Sequence, residues 1–165
     1  MRILNVLILI FFINSYSQEK LRVDEIYTID GLTYKSFDGE LFTGIAQKNR
    51  NNNHLKYEVE FEKGVLVKQT VYFNTRENQI AREIFYKNKK WNKPLKEISY
   101  GLDRDYKCVK SFNSNDEKIL DEDYENGILV YRCEFMKNKK NGIEFSVNKN
   151  GIKTECKYEN GKFLK

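Results

Sequence analysis

Three carboxylates two residues apart, Glu58, Glu60 and Glu62, are the first group in this sequence that could do chemistry. In an extended chain they share one face, and a suitably separated pair of carboxyl groups can hydrolyse a glycosidic bond. The same row, however, begins with Lys56, and Lys153, Glu155, Lys157 and Glu159 repeat it near the far end. Alternating signs at matching positions point to cross-strand charge pairing on a solvated face rather than to catalysis. Asp121, Glu122, Asp123 and Glu125 form a second acidic group. It lacks the spaced ligand loop of a calcium hand and reads as a strand end.

Three cysteines, Cys108, Cys133 and Cys156, are the next candidates. Cys133 and Cys156 occupy equivalent positions one repeat apart, which in a meander means two strand spacings, or roughly 9 to 10 Å. A disulfide needs Cα atoms within about 7 Å, so this pair is expected to stay unbridged, as thiols facing a core. Cys108 falls in an irregular segment and reaches neither unless that segment folds back. No two cysteines are close in sequence and the single histidine, His54, lies in an Asn-rich turn, so a zinc site is not expected. A Ser/His/Asp set, a Cys/His pair and a Gly-rich phosphate loop are all missing, which leaves no nucleophile with its base. The reading is therefore non-enzymatic, with no cofactor and no metal.

The segment from Lys87 to Lys96 is the remaining candidate. Lys87, Lys89, Lys90, Lys93 and Lys96 surround the only Trp, Trp91, and the only Pro, Pro94. A basic, aromatic, turn-rich segment can dock on an acidic protein partner or on anionic lipid headgroups. These six residues, the five lysines and Trp91, are the expected partner- or membrane-binding positions.

The elements that must position these groups are repeats. Aromatic residues recur at Phe61, Tyr86, Phe112, Phe135 and Tyr158, spaced 25, 26, 23 and 23 residues apart. Two positions before them stand Val59, Ile84, Lys110, Cys133 and Cys156, mostly small or medium apolar. Period-two alternation around Tyr131, Cys133 and Phe135, and around Thr154, Cys156 and Tyr158, is the strand signal. Asp38-Gly39, Asn126-Gly127, Asn141-Gly142, Asn150-Gly151 and Asn160-Gly161 mark turns, because both residue types tolerate positive φ. The expected fold is all-β: an antiparallel meander of repeated β-hairpins in a single curled sheet. One apolar face, Tyr57 to Phe61, Leu129 to Phe135 and Thr154 to Tyr158, should run its length. So long a stripe must be hidden by curling, dimerisation or another chain.

Composition agrees with a half-buried sheet. The 165 residues are 40% hydrophobic, 32% charged and 14% aromatic, with eleven Tyr, eleven Phe and one Pro. Residues 1–17 carry Arg2, an apolar run from Ile3 to Ile13, and small Ser15 and Ser17, the pattern of a secretory signal cleaved before Gln18. Removal of that segment takes away one basic side chain and leaves a net charge near +4. So small and mixed a charge argues against nucleic acid as a partner. The expected organisation is a signal at 1–17, an N-terminal extension at 18–31 and a repeat domain at 32–165, in an exported, periplasmic or secreted protein.

Tyr124-Glu-Asn-Gly127, Phe135-Met-Lys-Asn-Lys-Lys-Asn-Gly142 and Tyr158-Glu-Asn-Gly161-Lys resemble the MORN-variant repeats of YwqK-like bacterial proteins. Leu32 to Gly44 is similar to that family's first hairpin. The resemblance spans roughly residues 32 to 165, departing at Asn138, where Gly is usual, and across residues 90 to 107. It implies a hairpin-repeat fold and an antitoxin-like role exercised through a protein partner.

Overall fold

Short alternating segments separated by turns that only Gly, Asn and a few other residues tolerate give this chain strand after strand and no α-helix among the described residues. The computed structural model describes residues 18–86, 93–103 and 105–164. The expected signal segment lies outside them. The described part starts with β1 (Lys20–Arg22), a 3-10 turn at Val23–Glu25, and the hairpin of β2 (Ile26–Ile29) and β3 (Leu32–Lys35). Then come β4 (Gly44–Asn49), β5 (Leu55–Glu62), β6 (Val65–Tyr72), β7 (Ile80–Tyr86) and β8 (Pro94–Tyr100). They are followed by β9 (Tyr106–Phe112), β10 (Lys118–Glu125), β11 (Ile128–Met136), β12 (Lys139–Val147), β13 (Lys153–Glu159) and β14 (Lys162–Leu164).

From β4 to β14 each strand pairs antiparallel with the next, giving the expected hairpin meander in one sheet, which does not close into a barrel. Two features depart from a plain meander. β1 adds in parallel to the edge of β4, and β2–β3 forms a separate small sheet. The extension at 18–31 is thus part of the fold.

The two-residue turns Asp30-Gly31, Lys63-Gly64, Asn126-Gly127, Lys137-Asn138 and Asn160-Gly161 hold both residues at positive φ, the type I′ geometry that matches strand twist. Asn138, at φ 60, does the work of a glycine. Asn141-Gly142 is not a turn: it lies inside β12, where a bulge opposite Cys133–Phe135 takes up its unusual backbone. The stretch 94–107, where the repeat pattern fades, nevertheless contributes β8 and the start of β9. Cys108 sits in the middle of that regular pairing, opposite Ser99 and Asp123.

The core is concentrated at the beginning. Phe42, Ala46, Val59, Phe61 and Leu66 are buried together, with Leu21, Val23, Ile26, Tyr57 and Tyr86 against them. Residues 23–43 are laid over one face of β4–β6. Thr33 N–H donates to the Gly64 carbonyl at 2.9 Å, Gly64 N–H to Phe42, and the Phe42 ring lies 5.7 Å from that of Phe61. We call this the capped face.

Beyond the cap, the expected apolar stripe is broken. Register places Ala46, Val59, Gln69, Ile84, Glu97, Lys110, Asp121, Cys133, Glu144 and Cys156 in one row across the capped face. Four of the five strands that carry an aromatic anchor supply apolar residues and β9 supplies Lys110, whereas the hairpin partners supply Gln69, Glu97, Asp121 and Glu144. Reading only the anchor strands produced the stripe; the intervening strands remove it. Consequently Phe61 alone among the five anchors is fully buried, at 1% exposure, while Phe112, Phe135 and Tyr158 are half-buried.

Candidate functional site

Lys87, Lys89, Lys90 and Trp91 lie outside the described residues. Lys93 and Lys96 are described and have different surroundings. Lys93 forms an ion pair with Asp116 in the β9–β10 turn. Lys96 stands in β8, opposite Phe85 and Ser111, on the face opposite the cap, here called the outer face.

Glu58, Glu60 and Glu62 do share the outer face, as the alternation of β5 requires. Tyr72 donates its hydroxyl to Glu58 at 2.6 Å and Lys20 lies 3.6 Å away. Gln18 donates to Glu60, and Lys68, opposite Glu60 in register, turns instead to Glu83. One hairpin further on the arrangement repeats: Tyr100 donates to Glu83 at 2.6 Å. Burial and the facing carboxylates push both phenols up, Tyr100 to about 12. Burial alone would raise Glu83, but its bonds from Lys68 and Tyr100 hold it below the usual carboxylate range. Glu83 therefore sits ionised beside a phenol that does not give up its proton, and Glu58 accepts from another, which is structural pairing and not acid–base catalysis.

On the capped face the acceptor row has its own donors. Tyr86 donates to Gln69, Arg82 to Glu97, Lys118 to Asp121 at 2.8 Å, and Tyr131 and Lys140 to Glu144. The Lys140 bond holds Glu144 low. Asp121, Glu122 and Asp123 are mid-strand residues of β10 rather than a strand end, with Asp121 and Asp123 on the capped face. There register brings Cys108 to them, so that its Sγ and one oxygen of each aspartate lie within 4.8 Å of one another. These are the residues that could hold a metal ion, although Lys118 already neutralises Asp121. Burial and Asp123 push the Cys108 thiol up to about 12, so at neutral pH it is neutral and a poor nucleophile. Sequence spacing hid this group, because its members come from two strands. Counting pairing partners across the Asn113–Glu117 turn would have found it. Among the described residues all three cysteines are free, and Glu144 stands between Cys133 and Cys156 in the row.

The outer face of β11–β13 carries a different feature. Leu129, Ile143 and Phe145 line a recess of about 340 Å³, rimmed by Arg132, Glu134 and Glu155. A register shift between Asp123 and Tyr124 in the β10–β11 pairing accompanies the appearance of Leu129 here rather than in the expected stripe. Ile143 is 51% exposed, and no described element covers it. This recess was missed because Ile143 and Phe145 come from β12, the hairpin partner of the anchor strand, while Leu129 of the anchor strand reaches this face only through the register shift.

No family model matches the chain, and no curated protein matches it. The likeness to MORN-variant repeats thus rests on the residues that carry it.

Proposed function

We propose that this is a non-catalytic, exported repeat module that binds a protein partner on its open sheet. The observation that carries the reading is the uncovered apolar recess on β11–β13, with Ile143 half-exposed at its floor. Its size suits one or two large apolar side chains. On its rim Arg132 is already paired with Glu122 and Glu134, which leaves Glu155 without an ion pair among the described residues, so the partner segment should place a basic residue beside its apolar anchor. The neutral thiol and the paired carboxylates described above support a role without chemistry. An antitoxin-like role is what the repeat resemblance adds. The alternative is attachment to an anionic membrane surface through Lys87 to Lys96, and the pairing of Lys93 with Asp116 weakens it. An enzyme is the least supported reading.

The test is affinity capture from the source cells with wild type and with Ile143→Asp, followed by identification of bound proteins. One protein should be lost selectively from the variant while its melting temperature holds. Equal capture by both chains would move the interface elsewhere. Salt-sensitive binding to anionic vesicles without any protein partner would favour the membrane reading.

A further inference from the structure

The turn between β4 and β5 and the neighbouring turn between β6 and β7 enclose a recess of about 450 Å³. Lys48, Arg50 and Lys56 line it together with Asn51, Asn52 and Asn74, and no acidic residue does. None of the three cations is in an ion pair among the described residues, whereas Lys68, Arg82, Lys118 and Lys140 each sit against a carboxylate. Three like charges around one hollow repel one another unless something negative lies between them.

Arg50 is held in place and left incomplete. Its Nη2 donates to the Tyr72 carbonyl at 3.0 Å, which fixes the guanidinium, while its Nε is buried with no hydrogen-bond partner. A buried donor of a charged group without a partner is costly and calls for an explanation. The amides around it are oriented as well. The Asn74 carbonyl oxygen accepts from Asn52 at 3.0 Å and from His54 Nδ1 at 2.9 Å, so the Asn74 nitrogen remains available as a donor. The hollow therefore offers the anchored guanidinium of Arg50, two lysine ammonium groups and the Asn74 N–H donors, with no carboxylate among its lining residues.

We propose that this recess binds a phosphate or sulfate group. Three cations with amide donors suit a dianionic tetrahedral oxyanion better than a single carboxylate. The volume exceeds that of the anion alone, leaving room for a small organic part esterified to it. This site is separate from the apolar recess on β11–β13 and does not depend on it.

The experiment is a titration of inorganic phosphate into the full chain, followed by backbone amide resonances and by calorimetry at constant ionic strength. Saturable shifts confined to residues 48–56 and 72–75 are expected, with sulfate competing and acetate not. Lys48→Gln with Lys56→Gln should weaken binding by about tenfold or more, the scale of one charge-assisted hydrogen bond, with an unchanged melting temperature. Arg50→Lys keeps the charge but removes the planar guanidinium anchored on the Tyr72 carbonyl and should weaken it comparably. Glucose 6-phosphate is the second probe. Tighter binding than inorganic phosphate identifies a phosphorylated small molecule as the ligand class, and equal binding identifies the free anion. Shifts that are linear, or spread equally to the Lys137-Asn138 turn, would overturn the proposal. So would undiminished affinity in the double lysine variant.

Discussion

Replacing Phe61 and Phe135 by alanine should have very different costs, although the two residues hold the same position in the repeat. Phe61 is 1% exposed and packs beneath Phe42, with Val59 and Leu66 around it. Its removal forfeits an entire aromatic burial and leaves a cavity that residues 23–43 cannot collapse into, which costs roughly 3 to 5 kcal/mol. Phe135 is half-buried on the uncapped part of the sheet, with Lys118 Nζ 3.8 Å from its ring centroid. About half the transfer energy plus one cation–π contact gives about 1.5 to 2 kcal/mol. Urea unfolding followed by far-ultraviolet circular dichroism reads the difference as midpoint shifts at constant slope. An array of hairpins can lose local pieces first, so amide exchange should accompany it. Faster exchange should appear in β4–β7 for Phe61→Ala and in β11–β13 for Phe135→Ala. Equal midpoint shifts, or a larger one for Phe135→Ala, would refute the division into a capped and an uncapped region.

Gly64 and Gly127 both hold φ near +75°, but a Cβ at Gly64 would lie 2.8 Å from the Thr33 carbonyl oxygen while Gly127 faces open space. Gly64→Ala should therefore cost more than Gly127→Ala, whose penalty is about 1 kcal/mol of backbone strain; thermal melts of both variants decide it. Cys108 has a folded pKa raised above its unfolded value, so its contribution to stability is full below the unfolded pKa and is lost as pH rises toward about 12. Correspondingly, iodoacetamide should label Cys108 in the folded chain far more slowly at pH 8 than in urea, and Asp123→Asn should speed labelling. Glu144 is depressed by Lys140, so its contribution is present above the unfolded carboxylate pKa and is lost as pH falls through the lower folded value. Acid titration of Lys140→Gln should show a flatter loss of stability below pH 5 than wild type.

The hairpin meander was legible because two local signals agree: period-two alternation, and turn residues that accept positive φ. The aromatic spacing placed Phe61, Tyr86, Phe112, Phe135 and Tyr158 at or near the ends of alternate strands, as the structure has them. What those residues touch was not legible. Burial of Phe61 depends on residues 23–43 folding back over it, a non-local event that no spacing within a repeat reveals. The acceptor row of Gln69, Glu97, Asp121 and Glu144 and the Cys108 group depend on which residues oppose each other across strands. A single bulge changes that register, as it does at Leu129 and Gly142. The Asn-rich turn around His54 read as mere punctuation because the unpaired Arg50 Nε is visible only in three dimensions.

The claim that the outer face of β11–β13 is where a partner sits is tested most directly by a photo-crosslinking residue at Ile143 in the source cells. The account predicts one discrete adduct containing a second protein, absent when the crosslinker is moved to Lys110 on the capped face. An adduct of equal yield from both positions, or none from Ile143 under conditions where the chain is folded and abundant, would contradict it.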